Sequence, residues 1–232
     1  MGKHERGYVR SERDFYPTPA WVVTHGLLPH VLIDKLTVWE PATGSGRMAE
    51  ALRAAGARVF CSEAYNDYGY PLDLLHDFTG PLPALSRQFD GIITNPPHSL
   101  AHRFIETGLQ YLDKYKSFLA LLLPTDYDSG KTRSRFFRDC PLFAGRIVLT
   151  ERITWYKNAH TANAPKENHA WFIWSSRLGE VQPLTLYSPT RQFYAEYPTA
   201  RKRRPVLEAG ITFAPISARK VPAAQPIQEL PL

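Results

Sequence analysis

Leu36-Thr37-Val38-Trp39-Glu40-Pro41-Ala42-Thr43-Gly44-Ser45-Gly46-Arg47-Met48-Ala49 is the stretch that decides the fold. Its first five residues read as a strand. The next six hold a proline and two glycines. A helical pattern follows through Glu50-Ala51-Leu52-Arg53-Ala54-Ala55-Gly56. Gly44, Gly46 and Ala49 fit G-x-G-x-x-A at a strand-to-helix turn, where glycines let the backbone approach a ligand closely. A second strand, Ala57-Arg58-Val59-Phe60-Cys61-Ser62, ends at Glu63. That places an acid about 20 residues beyond the glycines, in reach of ribose hydroxyls. Strand, glycine turn, helix, strand and acid together predict an α/β fold with a parallel sheet.

Glu40 restricts what such a loop can hold. A carboxylate beside the glycines would repel a pyrophosphate and suits a ligand that is positive there. S-adenosylmethionine carries a sulfonium, an ammonium group and a ribose, and meets both Glu40 and Glu63. The plainer alternative for Glu40 is a loop carboxylate with no ligand.

A second informative stretch lies downstream. Phe89-Asp90-Gly91-Ile92-Ile93-Thr94 reads as a short buried strand and runs into Asn95-Pro96-Pro97-His98. The carboxyl end of a strand is where open α/β sheets place ligands. Both prolines fix φ and lack an N–H donor, so the turn is rigid and its carbonyls can point into a pocket. The Asn95 amide oxygen and the Pro96 carbonyl can together accept both hydrogens of one planar amino group. A plain proline turn is the other reading.

These segments resemble the amino methyltransferases. Glu40-Pro41-Ala42-Thr43-Gly44-Ser45-Gly46 is similar to their D-P-A/P-x-G-S/T-G cofactor loop, and Asn95-Pro96-Pro97-His98 to their [D/N/S]-P-P-[Y/F/W] loop. Phe15-Tyr16-Pro17-Thr18-Pro19 resembles the F/Y-x-T-P segment of N6-adenine DNA methyltransferases. The motif order resembles the γ-type and small phage-borne enzymes, and the likeness covers residues 14 to about 175. It implies a Rossmann-like sheet of seven mostly parallel strands, the last antiparallel, with helices on both faces. It also implies roles. Tyr16, Thr18 and Pro19 would close over the methionine end of S-adenosylmethionine. Glu40, Ala42, Gly44 and Gly46 would bind its amino-acid portion. Glu63 would take the ribose, with Ala64 beside the adenine. Asp77 and Phe78 resemble the pair that meets the adenine ring, or else simply end a strand. Asn95, Pro96 and Pro97 would hold the target amine, with His98 against the target ring.

His98 departs from the aromatic residues usual in the family. Imidazole also stacks on bases, over less area, and it can carry charge near neutral pH. A metal role for His98 and His102 lacks the third ligand that catalytic sites need, so no metal is expected. The implied reaction is transfer to an exocyclic amine, most simply adenine N6 in DNA. Methylation of RNA or of a protein glutamine, and a non-catalytic binding module, are the alternatives.

The 232 residues suit one α/β domain. The only cysteines, Cys61 and Cys140, stand far apart, which fits a reducing compartment. No apolar run is long enough to span a membrane, so a cytoplasmic protein is expected. The net charge of +6 sits at the two ends. Residues 1–13 hold four basic and two acidic side chains, and residues 201–232 six and two. The first reads as a basic arm and the second, opening with Arg201-Lys202-Arg203-Arg204, as a flexible tail suited to phosphates. The domain between, 14–200, is neutral. Within it Lys131, Arg133, Arg135 and Arg138 form a basic cluster after the strand 118–123, a candidate contact for a nucleic-acid backbone or else a solvated face. Trp155 is placed to form part of a substrate wall. Asp126 and Asp128 read as solvated loop acids or else as further acceptors at the same rim, and Trp171 and Trp174 read as core. Ser129-Gly130-Lys131-Thr132 ends like a phosphate-binding loop, but Thr125 stands where its first glycine is required.

Overall fold

The computed structural model describes residues 16–84, 89–155, 167–177 and 183–188. The basic arm 1–13, the tail 201–232 and most of the loop after Trp155 lie outside the described residues.

Among the described residues eight strands form one sheet: β1 Thr37–Glu40, β2 Arg58–Glu63, β3 Leu74–Leu75, β4 Gly91–Thr94, β5 Phe118–Pro124, β6 Phe143–Val148, β7 His169–Ser175 and β8 Leu184–Tyr187. Their spatial order is β3-β2-β1-β4-β5-β7-β6-β8. The strands β3, β2, β1, β4 and β5 are parallel neighbours. β7 is antiparallel to both β5 and β6. The expected Rossmann-like architecture is therefore present, with two differences. The described residues hold eight strands instead of seven, and the antiparallel strand is the last but one of these, because β8 adds outside β6 in parallel. Gly145 makes room for it. Its φ is +134°, and a Cβ there would lie 2.1 Å from the Leu184 carbonyl oxygen.

Strand pleating sorts the core into two layers. On one face Val38, Ile93, Phe118, Ala120, Leu122, Trp171 and Ile173 pack under a short π-helical segment, Val22–Leu27, and the helix α1, Arg47–Ala54. On the other face Trp39, Ile92, Leu119, Leu121, Leu123, Phe172 and Trp174 pack under α2, Ala101–Lys114, and a 3₁₀ helix, Lys131–Phe136. β5 feeds both layers, which is why it reads as an unbroken apolar run. In α2 the buried Ala101, Phe104, Ile105, Gly108, Tyr111 and Leu112 recur at helical spacing and form its inner stripe.

The buried indoles all find acceptors. Trp39 Nε1 donates to Ser62 Oγ at 2.8 Å, Trp171 Nε1 to the Val22 carbonyl at 3.0 Å, and Trp174 Nε1 to the Phe136 carbonyl at 2.6 Å. Satisfied in this way, the rings contribute apolar burial without an orphaned N–H. No helix among the described residues is long and apolar enough to cross a membrane.

Candidate active site

A cavity of about 360 Å³ opens at the carboxyl ends of β1, β2 and β4. Its floor is the glycine loop. Gly46 caps α1 with φ +78°, and a Cβ there would lie 2.0 Å from the Tyr70 ring. Only glycine meets both conditions, so the signal read from sequence reflects a real constraint. Tyr70 lies over the glycine and is tied to Glu50 and Arg53 of α1 through its hydroxyl. Thr43 fixes the loop from the other side, donating from Oγ1 to the Glu40 carbonyl at 2.8 Å and lying 3.0 Å from the Ser62 carbonyl.

Two carboxylates frame the cavity in different ways. Glu63, the last residue of β2, accepts from Gly44 N–H at 2.8 Å and Ala64 N–H at 3.1 Å. Burial pushes its pKa up, and those two backbone bonds oppose the shift. Glu40, the last residue of β1, is 1 % exposed. Its Oε1 accepts from Thr94 Oγ1 at 2.5 Å and Ala42 N–H at 3.3 Å, while its Oε2 is buried with no partner. Burial raises the Glu40 pKa to about 8. A buried carboxylate oxygen without a donor, on the wall of a cavity, is a group waiting for a cation or a hydrogen-bond donor. Asp67 adds a third acid at the mouth, beside Tyr65 and Tyr68. No lysine, arginine or histidine among the described residues lines the cavity. The donor set fits a cationic ligand with a ribose and does not fit a pyrophosphate.

The opposite wall is the segment after β4. Asn95 donates from Nδ2 to the Tyr16 carbonyl at 3.2 Å and to Thr18 Oγ1 at 3.1 Å. Its Oδ1 is buried and has no partner. Asn95 and Pro97 line the cavity, and Pro96 is buried behind them. The His98 ring lies 5.4 Å from the Tyr16 ring at 30° and 5.9 Å from the His169 ring. Trp155 closes this aromatic group, 5.4 Å from Tyr16 and edge-on to His169 at 5.3 Å. His169 is 1 % exposed, and burial, helped by the nearby His98, lowers its pKa to about 3.

Most residues singled out in the sequence converge here. Tyr16, Thr18, Glu40 and Ala42 line the cavity, as do Gly44, Glu63 and Ala64. Gly46 lies beneath Tyr70, and the Pro19 carbonyl starts the next helical segment by accepting from Val22 N–H. Phe78 is not among the residues lining the cavity. It is 1 % exposed and sits in the core 5.1 Å from Trp39 and 5.0 Å from Phe104. Asp77 turns to Thr79, accepting from its N–H at 2.8 Å and its hydroxyl at 2.7 Å.

The basic cluster also stands apart from the cavity. Arg133 donates to the Tyr127 carbonyl at 2.6 Å and stacks on that ring at 4.3 Å. Arg135 pairs with Glu106 at 2.7 Å, Arg138 pairs with Asp139, and Lys131 is exposed. His102 lies 3.3 Å from the same Glu106. Asp128 is not a solvated acid, since it pairs with Arg146 at 2.8 Å. Sequence reasoning missed Thr94, Tyr70 and His169. Thr94 had the one usable signal, a polar residue in an otherwise apolar strand immediately before Asn95.

No family model matches the chain, and no curated protein does. Solved structures do. A protein from Listeria monocytogenes assigned to the class I S-adenosylmethionine-dependent methyltransferases superimposes with a TM-score of 0.51 at 16 % identity, over 79 % of this chain and 69 % of that one. The methyltransferase subunit of a type I restriction-modification system from Streptococcus thermophilus gives a TM-score of 0.53 at 14 % identity, over 81 % of this chain and 53 % of the subunit. This chain thus spans about half of that subunit, and the likeness is one of fold.

Proposed function

We propose that the protein transfers a methyl group from S-adenosylmethionine to an exocyclic amino nitrogen, adenine N6 in DNA. One observation carries the reading. The Asn95 amide is held by its nitrogen, and its oxygen is left as a buried, unpartnered acceptor on the cavity wall. Such an acceptor matches a donor amine, as the Asn-Pro-Pro resemblance implies.

The opposite wall suits the cofactor. Glu40 Oε2 would pair with its ammonium group, Glu63 would accept from the ribose hydroxyls, and Gly44 lets the backbone approach. When bound, the sulfonium supplies the electrophilic methyl carbon. The chain's own residues then orient the amine. An adenine amine is a poor nucleophile because its lone pair is delocalised into the ring. Asn95 Oδ1 and the Pro96 carbonyl, fixed on its two hydrogens, favour a more tetrahedral nitrogen aligned for in-line displacement. Positioning of this kind supplies up to about 7–11 kcal/mol in good intramolecular cases. The carbon–nitrogen bond would form as the carbon–sulfur bond breaks, a neutral thioether would leave, and the methylated nitrogen would give up one hydrogen as a proton to water, so no covalent enzyme intermediate is needed.

Tyr16, His98 and Trp155 surround this region with rings, which supports a planar base over the aliphatic amide of glutamine. The Streptococcus neighbour belongs to a restriction-modification system, and both ends of this chain are basic, which supports DNA. The test is transfer of labelled methyl to unmethylated DNA, with Asn95→Ala as control. Label incorporated by the wild type and not by the variant is expected. Equal incorporation by both, or none by either on DNA, refutes the reading.

A further inference from the structure

Asn95 has two amide orientations, and only one serves catalysis. In one, Oδ1 faces the cavity as an acceptor. In the other, Nδ2 faces it as a pair of donors, which would repel an amine's hydrogens. The choice is made by groups outside the Asn-Pro-Pro turn. The Tyr16 carbonyl, 3.2 Å from Nδ2, can only accept a hydrogen bond. Thr18 Oγ1, 3.1 Å away, takes the second hydrogen and is itself 5 % exposed. Turning the amide over would set two carbonyl oxygens against each other at about that same separation, inside a desolvated site. The segment that carries both acceptors is anchored independently of any ligand. The Tyr16 ring is 7 % exposed against His98 and Trp155, and the Pro19 carbonyl accepts from Val22 N–H at 3.0 Å.

We infer that the Thr18 hydroxyl and the Tyr16 carbonyl are positioning groups that lock the Asn95 amide with its oxygen toward the target, and that they make an amide obligatory at this position. The inference rests on the proposed role of Asn95 as acceptor for the target amine. It adds a role for Thr18 distinct from closing over the cofactor. It also gives a physical reason for asparagine here. A carboxylate at position 95 would present oxygen to the Tyr16 carbonyl, with no hydrogen between them, and would have to rotate away. Thr18→Ser keeps the hydroxyl, whereas Thr18→Val keeps the shape and loses the acceptor.

Two measurements test this. The first needs no turnover. In the wild type both side-chain NH₂ protons of Asn95, assigned by their absence in Asn95→Ala, are protected from hydrogen exchange. Thr18→Ser retains the protection and Thr18→Val loses it. An unprotected NH₂ in the folded wild type overturns the inference whatever the activity. The second is a split of kinetics from binding. Thr18→Val lowers kcat at saturating cofactor by about tenfold, the worth of one hydrogen bond, with cofactor Kd changed by no more than about threefold. Thr18→Ser, which keeps the hydroxyl, recovers most of the kcat that Thr18→Val loses. Asn95→Asp, folded by its thermal transition, loses turnover as fully as Asn95→Ala. Thr18→Val with normal kcat and weakened cofactor binding, or Asn95→Asp with wild-type turnover, overturns the inference. A wild type that binds cofactor, protects the Asn95 amide and methylates nothing would refute the proposed function and leave the locked amide standing.

Discussion

The two walls of the cavity bury ionisable groups of opposite kind, and each is shifted toward its neutral form. On the cofactor wall burial raises Glu40 to about 8. Behind the target wall burial and a neighbouring imidazole lower His169 to about 3. At neutral pH burial thus favours the neutral form of both groups, Glu40 on one wall and His169 behind the other. In the empty site Glu40 ionises as pH rises through about 8, and under the proposed function a cationic ligand would offset the cost of its buried charge. His169 is held neutral by burial and by the neighbouring His98. Under the proposed function one wall would acquire a charge with its ligand and the other would have none.

The largest expected effect separates the walls by function. Asn95→Ala should lower turnover by at least about 10³-fold, in line with the removal of an oriented group that acts mainly in the transition state. Its cofactor affinity should stay within a few fold in a calorimetric titration. Loss of cofactor binding in that variant would merge the two walls into one.

Glu40→Gln should do the reverse at the binding step. Removing one partner of a buried charge pair costs about 2–5 kcal/mol, hence a loss of cofactor affinity of roughly 100-fold. The wild-type affinity should also depend on pH. Below about pH 8 Glu40 is protonated in the empty site and must lose its proton to pair with an ammonium group. Affinity should therefore weaken as pH falls from 8, with proton release visible as a dependence of calorimetric heat on the buffer. Glu40→Gln should abolish that release.

Smaller effects on stability carry opposite signs for the two walls. The folded pKa of Glu40 lies above its ordinary value of 4.5. Its contribution is fully present below pH 4.5 and is lost as pH rises through about 8. In the cofactor-free protein, Glu40→Gln should raise Tm over the wild type, and the gap should widen across that window. The folded pKa of His169 lies below its ordinary 6.5. Its contribution is present above pH 6.5 and is lost as pH falls toward 3. His169→Phe should flatten the acid side of the Tm profile. A flat acid limb in the wild type would show that His169 is not held neutral by the fold.

The parts of this site that were legible in the sequence are those fixed by local backbone rules. Gly46 needs a positive φ, Pro96 and Pro97 stiffen a turn, β4 and β5 are largely apolar, and β1 and β2 run into the glycine turn and Glu63. The packing of Phe78 was not legible because its neighbours, Trp39 and Phe104, come from elements far along the chain. β3 has two residues and no period to detect, and β8 pairs only through the close approach that Gly145 permits. The bond from Thr94 to Glu40 spans two strands, and the contact of His169 with His98 joins β7 to the turn after β4, so neither leaves a local pattern.

The most direct test of the account is to identify the methylated atom. DNA incubated with the protein and labelled S-adenosylmethionine would be digested to nucleosides and analysed by mass spectrometry. The account predicts N6-methyladenine, absent from the Asn95→Ala reaction. Methyl found only on a ring nitrogen or carbon, or N6-methyladenine formed equally well by Asn95→Ala, would contradict it.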